Sequence, residues 1–287
     1  MIEYIPPIQE RILLALARYK FLTVSQLYDA NVGVLNRIRD ALAILRAKKL
    51  TAKQQFGGMG YAYKGTVQDI HYLTSKGAKI LLEHSDLQTH EIKYPKSTNT
   101  FFRHDYYHRI ATINAEIALE KWMQSHKAEK LFCCNYTDKA GSQRSNNEHE
   151  KGTLRSETRL TFSDSKFIEP DIIFGYRTPQ KNYLYCLEIY NGKDTKRVIE
   201  QLVKLAQATS EGLVGSTFGY EVDNRVLCSF EHESNMKAVI ERIHNENVFR
   251  QKGIEKFFFF NLHESIKQDF GKNWFSINSE MINLADF

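Results

Sequence analysis

From residue 104 onward the chain alternates short apolar runs with amphipathic stretches, and this pattern constrains its fold more than any other feature. LFCCNYT, TRLTFSD, FIEPDIIFGYR, NYLYCLEIYNG, RVLCSF and KFFFFNL read as strands. Ser163–Asp164 and Thr178–Asn182 supply turns among them. A helix at 104–124, a second at Lys196–Gln207 and a third in ESNMKAVIERIHNEN lie between the strands. Helices interleaved with strands too apolar to face water on either side pack as layers on one sheet. The expected class is therefore α/β (α+β over the whole chain), with mixed strand directions. The polar, aperiodic stretch 138–156 reads as an exposed loop. With 42% apolar residues in 287, the chain has enough to bury a core, and its length fits two domains.

The first third has a different pattern. Ile8, Ile12, Leu13, Leu16 and Ala17 fall on one helical face. Thr23 then opens a short helix as N-cap, with Gln26 three residues later completing a capping box. A third helix follows the turn at Gly33, burying Leu35, Ile38, Leu42 and Leu45 and leaving Arg37, Arg39, Arg46, Lys48 and Lys49 outward. Strand-like Leu50–Phe56 and Ile70–Leu73 flank a Gly-rich segment carrying Lys64, and Thr74 caps a further helix. That order predicts a winged helix-turn-helix over residues 1–90. Residues 91–103 read as a linker and 104–287 as the second domain.

Charge follows the same division. Residues 1–96 hold fourteen Lys/Arg against eight Asp/Glu, while the rest of the chain is near neutral, so the whole basic excess lies in the first third. A basic module of this kind is expected to meet double-stranded DNA, with Arg37, Arg39 and Lys48 in the major groove and Lys64 in a flanking one.

In the second domain two carboxylates stand out. Asp171 follows Pro170 at the head of an apolar run, and Glu188 interrupts YLYCLEIY. An acid inside a buried strand is costly unless it is paired or binds a cation. Two acids on adjacent strands can hold a hard divalent ion through oxygen. Glu188 on the solvated face of an edge strand, or bridged to Lys196 or Arg197, is the alternative.

Pro170–Asp171, sixteen residues, then Glu188-x-Tyr190 resembles the core of PD-(D/E)xK nucleases. Over the whole chain, FLTVSQL, HYLTSKG, EPDIIFGY, CLEIYNGK and VIEQLVKL are similar to the plasmid replication-relaxation family, which is close to MOBC-type conjugative relaxases. The resemblance implies a restriction-endonuclease-like second domain that nicks one strand at an origin or inverted repeat on mobile DNA. It implies Mg²⁺ or Mn²⁺ held by Asp171, Glu188 and Glu116 (Glu120 is the second choice for the helix acid). Gln201 and Lys204 match a position facing the site. Tyr190 stands where the family has lysine, so Lys193 or Lys204 is expected to supply the positive charge at the reacting phosphate. Without such a charge the chain reads instead as a non-catalytic plasmid replication or regulatory DNA-binding protein.

Other classes fit less well. A tyrosine nucleophile (Tyr106 or Tyr107) beside a three-histidine metal site would have only His104 and His108 close by. A structural protein whose basic helix meets an acidic partner leaves the winged-helix order unexplained. No GxxxxGK[ST] loop is present for ATP-driven unwinding. Four cysteines without CxxC spacing, no long apolar span and an acidic opening unlike a secretory signal predict a cytoplasmic protein away from membranes. Other mobilisation or replication proteins are its expected partners.

Overall fold

The computed structural model describes residues 4–56, 67–95, 102–141 and 152–284, without the side chains of 103, 104, 251 and 252. The chain divides into two compact units, Met1–Arg109 and Ile110–Phe287.

In the first unit α1 (Pro7–Tyr19), α2 (Val24–Asp29) and α3 (Leu35–Ala47) precede an antiparallel pair, β1 (Thr51–Gln54) and β2 (Ile70–Leu73), and then α4 (Ser75–His84). The expected capping box is present: the Gln26 N–H donates to Thr23 Oγ1 (3.1 Å), and the Thr23 N–H donates to Gln26 Oε1 (3.0 Å). Thr74 caps α4 by accepting from the Gly77 N–H at 3.1 Å. Ile12, Leu13, Leu16, Ile38, Leu42 and Leu45 are fully buried. Each contributes about 1.5–3 kcal/mol relative to exposure. Leu35, expected in this core, is 36% exposed, because the α3 face that packs inward begins one turn later, at Ile38. The left-handed residue of the α2–α3 turn is Asn31 (φ 58°). Gly33 serves close approach instead, since a Cβ there would lie 2.6 Å from Ile8 Cδ1. Lys64 and its Gly-rich surroundings lie outside the described residues.

Helix α5 (Tyr106–Ser125) leads into the second unit. There β3 (Glu129–Asn135), β8 (Ile172–Arg177), β9 (Asn182–Tyr190), β10 (Asn224–Phe230) and β11 (Phe258–Leu262) join β12 (Trp274–Ser276) and β13 (Met281–Ile282). The sheet order is β13-β12-β11-β10-β9-β8-β3, with β9, β10 and β11 parallel and every other pairing antiparallel. The sheet is thus mixed and the class α/β, as the alternation requires. The stretch 138–156 is pinched at its ends, where β4 (Lys139–Ala140) pairs with β5 (Arg155–Ser156). FIEPDIIFGYR is two strands and not one. β7 (Phe167–Ile168) pairs back on β6 (Leu160–Thr161), and Pro170, with no N–H to give a ladder, separates β7 from β8.

Two layers cover the sheet. Leu184, Cys186 and Tyr190 pack under α6 (Thr195–Ser210) and α8 (Glu233–Ile243), with α7 (Leu213–Phe218) and α9 (Asn247–Lys252) alongside. Tyr185, Leu187 and Ile189 pack on the opposite face, against α5 and α10 (His263–Gln268). Among the described residues no helix is long and apolar enough to cross a membrane. None of the cysteines Cys133, Cys134, Cys186 and Cys228 is in a disulfide.

Candidate functional site

The three parallel strands all point their carboxyl ends the same way, the end at which open α/β sheets bind ligands. Glu188 sits two residues before the end of β9, paired with Cys228 of β10. By strand alternation its side chain shares the α6 face with Cys186 and Tyr190. It is 4% exposed. β8 runs antiparallel and starts at Ile172, opposite Leu187, which brings Asp171 to this same end. Because β8 stops short, the Ile189 N–H has no strand partner on that side, and Asp171 Oδ2 accepts it at 2.7 Å. Burial, then the neighbouring charge of Asp171, hold the Glu188 carboxyl well above the usual carboxylate range.

The third expected acid comes from the other face of the sheet. Glu116 is buried on α5, the helix on the opposite face of the sheet, and Asn135 Nδ2 donates to its Oε2 at 3.4 Å. Glu120 on the same helix pairs with Lys130 at 3.0 Å. Among the described residues no group of three or more His, Cys, Asp or Glu is disposed to hold a metal ion. Two carboxylates are nonetheless a sufficient protein contribution for Mg²⁺, which keeps waters and takes substrate phosphate oxygens as its remaining ligands. A divalent cation would also relieve the repulsion that raises Glu188. The pair Asp171/Glu188 fits such an ion; Glu116 is not gathered with them.

Tyr190, in the lysine position, is buried, and among the described residues its hydroxyl has no hydrogen-bond partner. Burial, then Glu188, push its phenol up, and Arg197 partly offsets them. Lys193 and Lys204 are both exposed, Lys193 in the turn after β9 and Lys204 on α6, while Gln201 is half-buried. Arg197, in the first turn of α6, is exposed like the two lysines.

Spacing gave no hint of a second group at the same sheet end. His263 Nε2 meets Asn191 Oδ1 at 2.8 Å, and His263 Nδ1 meets Ser229 Oγ at 2.7 Å. A carboxamide oxygen only accepts, so this assignment puts the proton on Nε2 and lets the Ser229 hydroxyl donate to Nδ1. Ser229 is fully buried, so the chain of bonds is a tether and not a nucleophile. It holds the turn after β9 from one side, while Glu231 Oε2 accepts the Gly192 N–H (3.1 Å) and Asn235 Nδ2 donates to the Gly192 carbonyl (3.3 Å).

In the first unit Arg37 and Arg39 are exposed on α3, and Lys48 is its half-buried C-cap residue. Tyr106, weighed as a nucleophile, uses its hydroxyl locally: it accepts from the Gln68 N–H and donates to the Gln68 carbonyl, both at 3.0 Å.

A family described as replication-relaxation matches residues 13–206, about two thirds of the chain, which includes α3, Asp171 and Glu188 and leaves out Ser229 and His263. No curated protein and no solved structure matches the chain.

Proposed function

Because the chain belongs to the replication-relaxation family, we propose that it works in plasmid replication or mobilisation as a site-recognising nickase. The first unit is read as a winged helix that docks α3 on double-stranded DNA. The second is read as a restriction-endonuclease-like domain that hydrolyses one phosphodiester. The observation that carries this reading is the buried pair Asp171/Glu188 at the carboxyl ends of the parallel strands.

Asp171 and Glu188 would hold Mg²⁺ or Mn²⁺, which when bound supplies Lewis acidity toward a phosphate oxygen. Asp171 keeps one oxygen on the Ile189 N–H, so the bond that finishes the sheet also orients the carboxylate. Lys193, Lys204 or Arg197, all three exposed, would supply the positive charge that Tyr190 cannot.

The test is plasmid relaxation with Mg²⁺ or Mn²⁺. Asp171→Ala removes both the charge and the acceptor for Ile189, so Asp171→Asn, which keeps the acceptor, is the sharper variant. Asp171→Asn and Glu188→Gln are expected to abolish nicking and leave duplex binding within about twofold. Full nicking by both variants overturns the assignment.

The buried Tyr190 hydroxyl favours a second reading, a non-catalytic replication or regulatory protein on a degenerate nuclease fold. Clear duplex binding by the wild type without cutting in either metal selects it.

A further inference from the structure

The outward face of α3 is not that of a plain phosphate-binding helix. Ile38, Ala41, Leu42 and Leu45 are buried, which sets the line opposite them at Asn36, Asp40, Ala43 and Ala47. All four of these are exposed. The long cations flank this line, Arg37 on one side and Arg39 with Arg46 on the other. Arg39 Nη1 donates to Asn36 Oδ1 at 3.2 Å, which fixes how the Asn36 amide is turned. Among the described residues the Asp40 carboxylate has neither a hydrogen bond nor an ion pair. Val34 and Leu35, at the start of the helix, are 58% and 36% exposed.

An acid in the middle of a basic face repels phosphate. It is tolerable only where the face turns its centre away from the phosphates and toward hydrogen-bond donors. The floor of the major groove offers that environment: the cytosine N4 amine donates to carboxylates, adenine N6 and N7 match a carboxamide, and thymine methyls take apolar contacts. A helix about 10–12 Å across fills a groove about 12 Å wide, so flanking arginines reach the two phosphate walls while short central side chains reach the bases. Charge complementarity with five cations at Arg37, Arg39, Arg46, Lys48 and Lys49 commits the occupant of this face to double-stranded DNA.

We propose that Asn36 and Asp40 are the base-reading residues of this chain, Asn36 reading adenine and Asp40 reading cytosine. They are four residues apart, about 6 Å along the helix, so the two bases lie one or two steps apart. Arg37 and Arg39 grip phosphates and carry no sequence information, although Arg39 also positions Asn36. This assignment rests on the DNA-recognition reading of the first unit and is independent of nicking.

The experiment is selection of bound duplexes from a random-sequence pool by the full chain, followed by affinity measurement across salt, for wild type, Asn36→Ala, Asp40→Ala and Arg37→Ala. Circular dichroism and sedimentation accompany each variant. Asn36→Ala is expected to lose the preference at one adenine and to bind the selected site about tenfold to a hundredfold more weakly. Asp40→Ala is expected to lose a cytosine and, with one repulsive charge gone, to bind unrelated duplexes more tightly. Arg37→Ala weakens all sequences alike and lowers the salt slope by about one. Wild-type preferences retained in both Asn36→Ala and Asp40→Ala overturn the proposal while leaving DNA recognition standing. A wild type that binds no duplex overturns the underlying reading. A dimer that either variant breaks overturns the proposal in favour of an interface between copies of this chain.

Discussion

Among the described residues of the first unit, His71 couples stability to acidification through its burial. It lies on β2 and is 4% exposed, and its backbone exchanges two hydrogen bonds with Leu22 (2.8 and 3.0 Å). Its Nδ1 is buried with no hydrogen-bond partner among the described residues. Burial, then the charge of Arg46, lower its pKa from 6.5 to about 4, with Asp69 opposing them and Lys53 assisting. Above pH 6.5 the ring is neutral in both folded and unfolded chains, and stability does not depend on it. Below 6.5 the unfolded chain takes up a proton that the folded chain refuses, so stability falls until the pH reaches about 4. That interval, at about 1.4 kcal/mol per pH unit, amounts to about 3 kcal/mol. His71→Leu keeps an apolar body of similar size and removes the titration. Both tryptophans, Trp122 and Trp274, belong to the second unit, so fluorescence does not report on the first. Proteolysis in a urea series, with cleavage mapped to the first unit, does. Between pH 7.5 and 4 the wild type is expected to lose about 3 kcal/mol more than His71→Leu. Equal losses in the two proteins, or an NMR titration of His71 centred near 6.5, refute the reasoning.

Three further outcomes are expected. Glu188→Gln removes a buried carboxylate raised by desolvation and by Asp171, so it raises the melting temperature while it abolishes nicking; a lowered melting temperature refutes the raised pKa. At Gly77 a Cβ would run into the Leu50 carbonyl oxygen, a backbone atom that cannot step aside, so Gly77→Ala costs about 1–3 kcal/mol in urea unfolding of the first unit, and an unchanged midpoint counts against this packing. Thr23→Ala opens the capping box of α2 and costs about 1 kcal/mol in the same assay, whereas Thr23→Ser retains most of the stability.

Local chemistry was legible in the sequence. The capping box at Thr23 and Gln26, the Thr74 cap, the buried line Ile38–Leu42–Leu45 and the strand around Glu188 each depend on residues a few positions apart, and each stands where periodicity placed it. The break at Pro170, which the reading of FIEPDIIFGYR as one strand missed, had its cue there as well, since a residue without an N–H cannot continue a ladder. The alternation of strands and helices was enough to demand a mixed sheet.

Which face of the sheet each acid takes was not legible. Glu116 and Glu188 are both buried carboxylates in the sequence pattern, but α5 packs on one face while the alternation of β9 turns Glu188 to the other. The face that each acid takes is therefore a property of layer order and not of spacing. The same holds for the influence of Arg197 on Tyr190 and for the bonds among Asn191, Ser229 and His263, which come from the turn after β9, from β10 and from the start of α10. Sequence determined the elements because backbone hydrogen bonds and capping are satisfied within a few residues. Only the tertiary structure decided which charged groups share a buried space, because that depends on strand order, and strand order is set by contacts far apart along the chain.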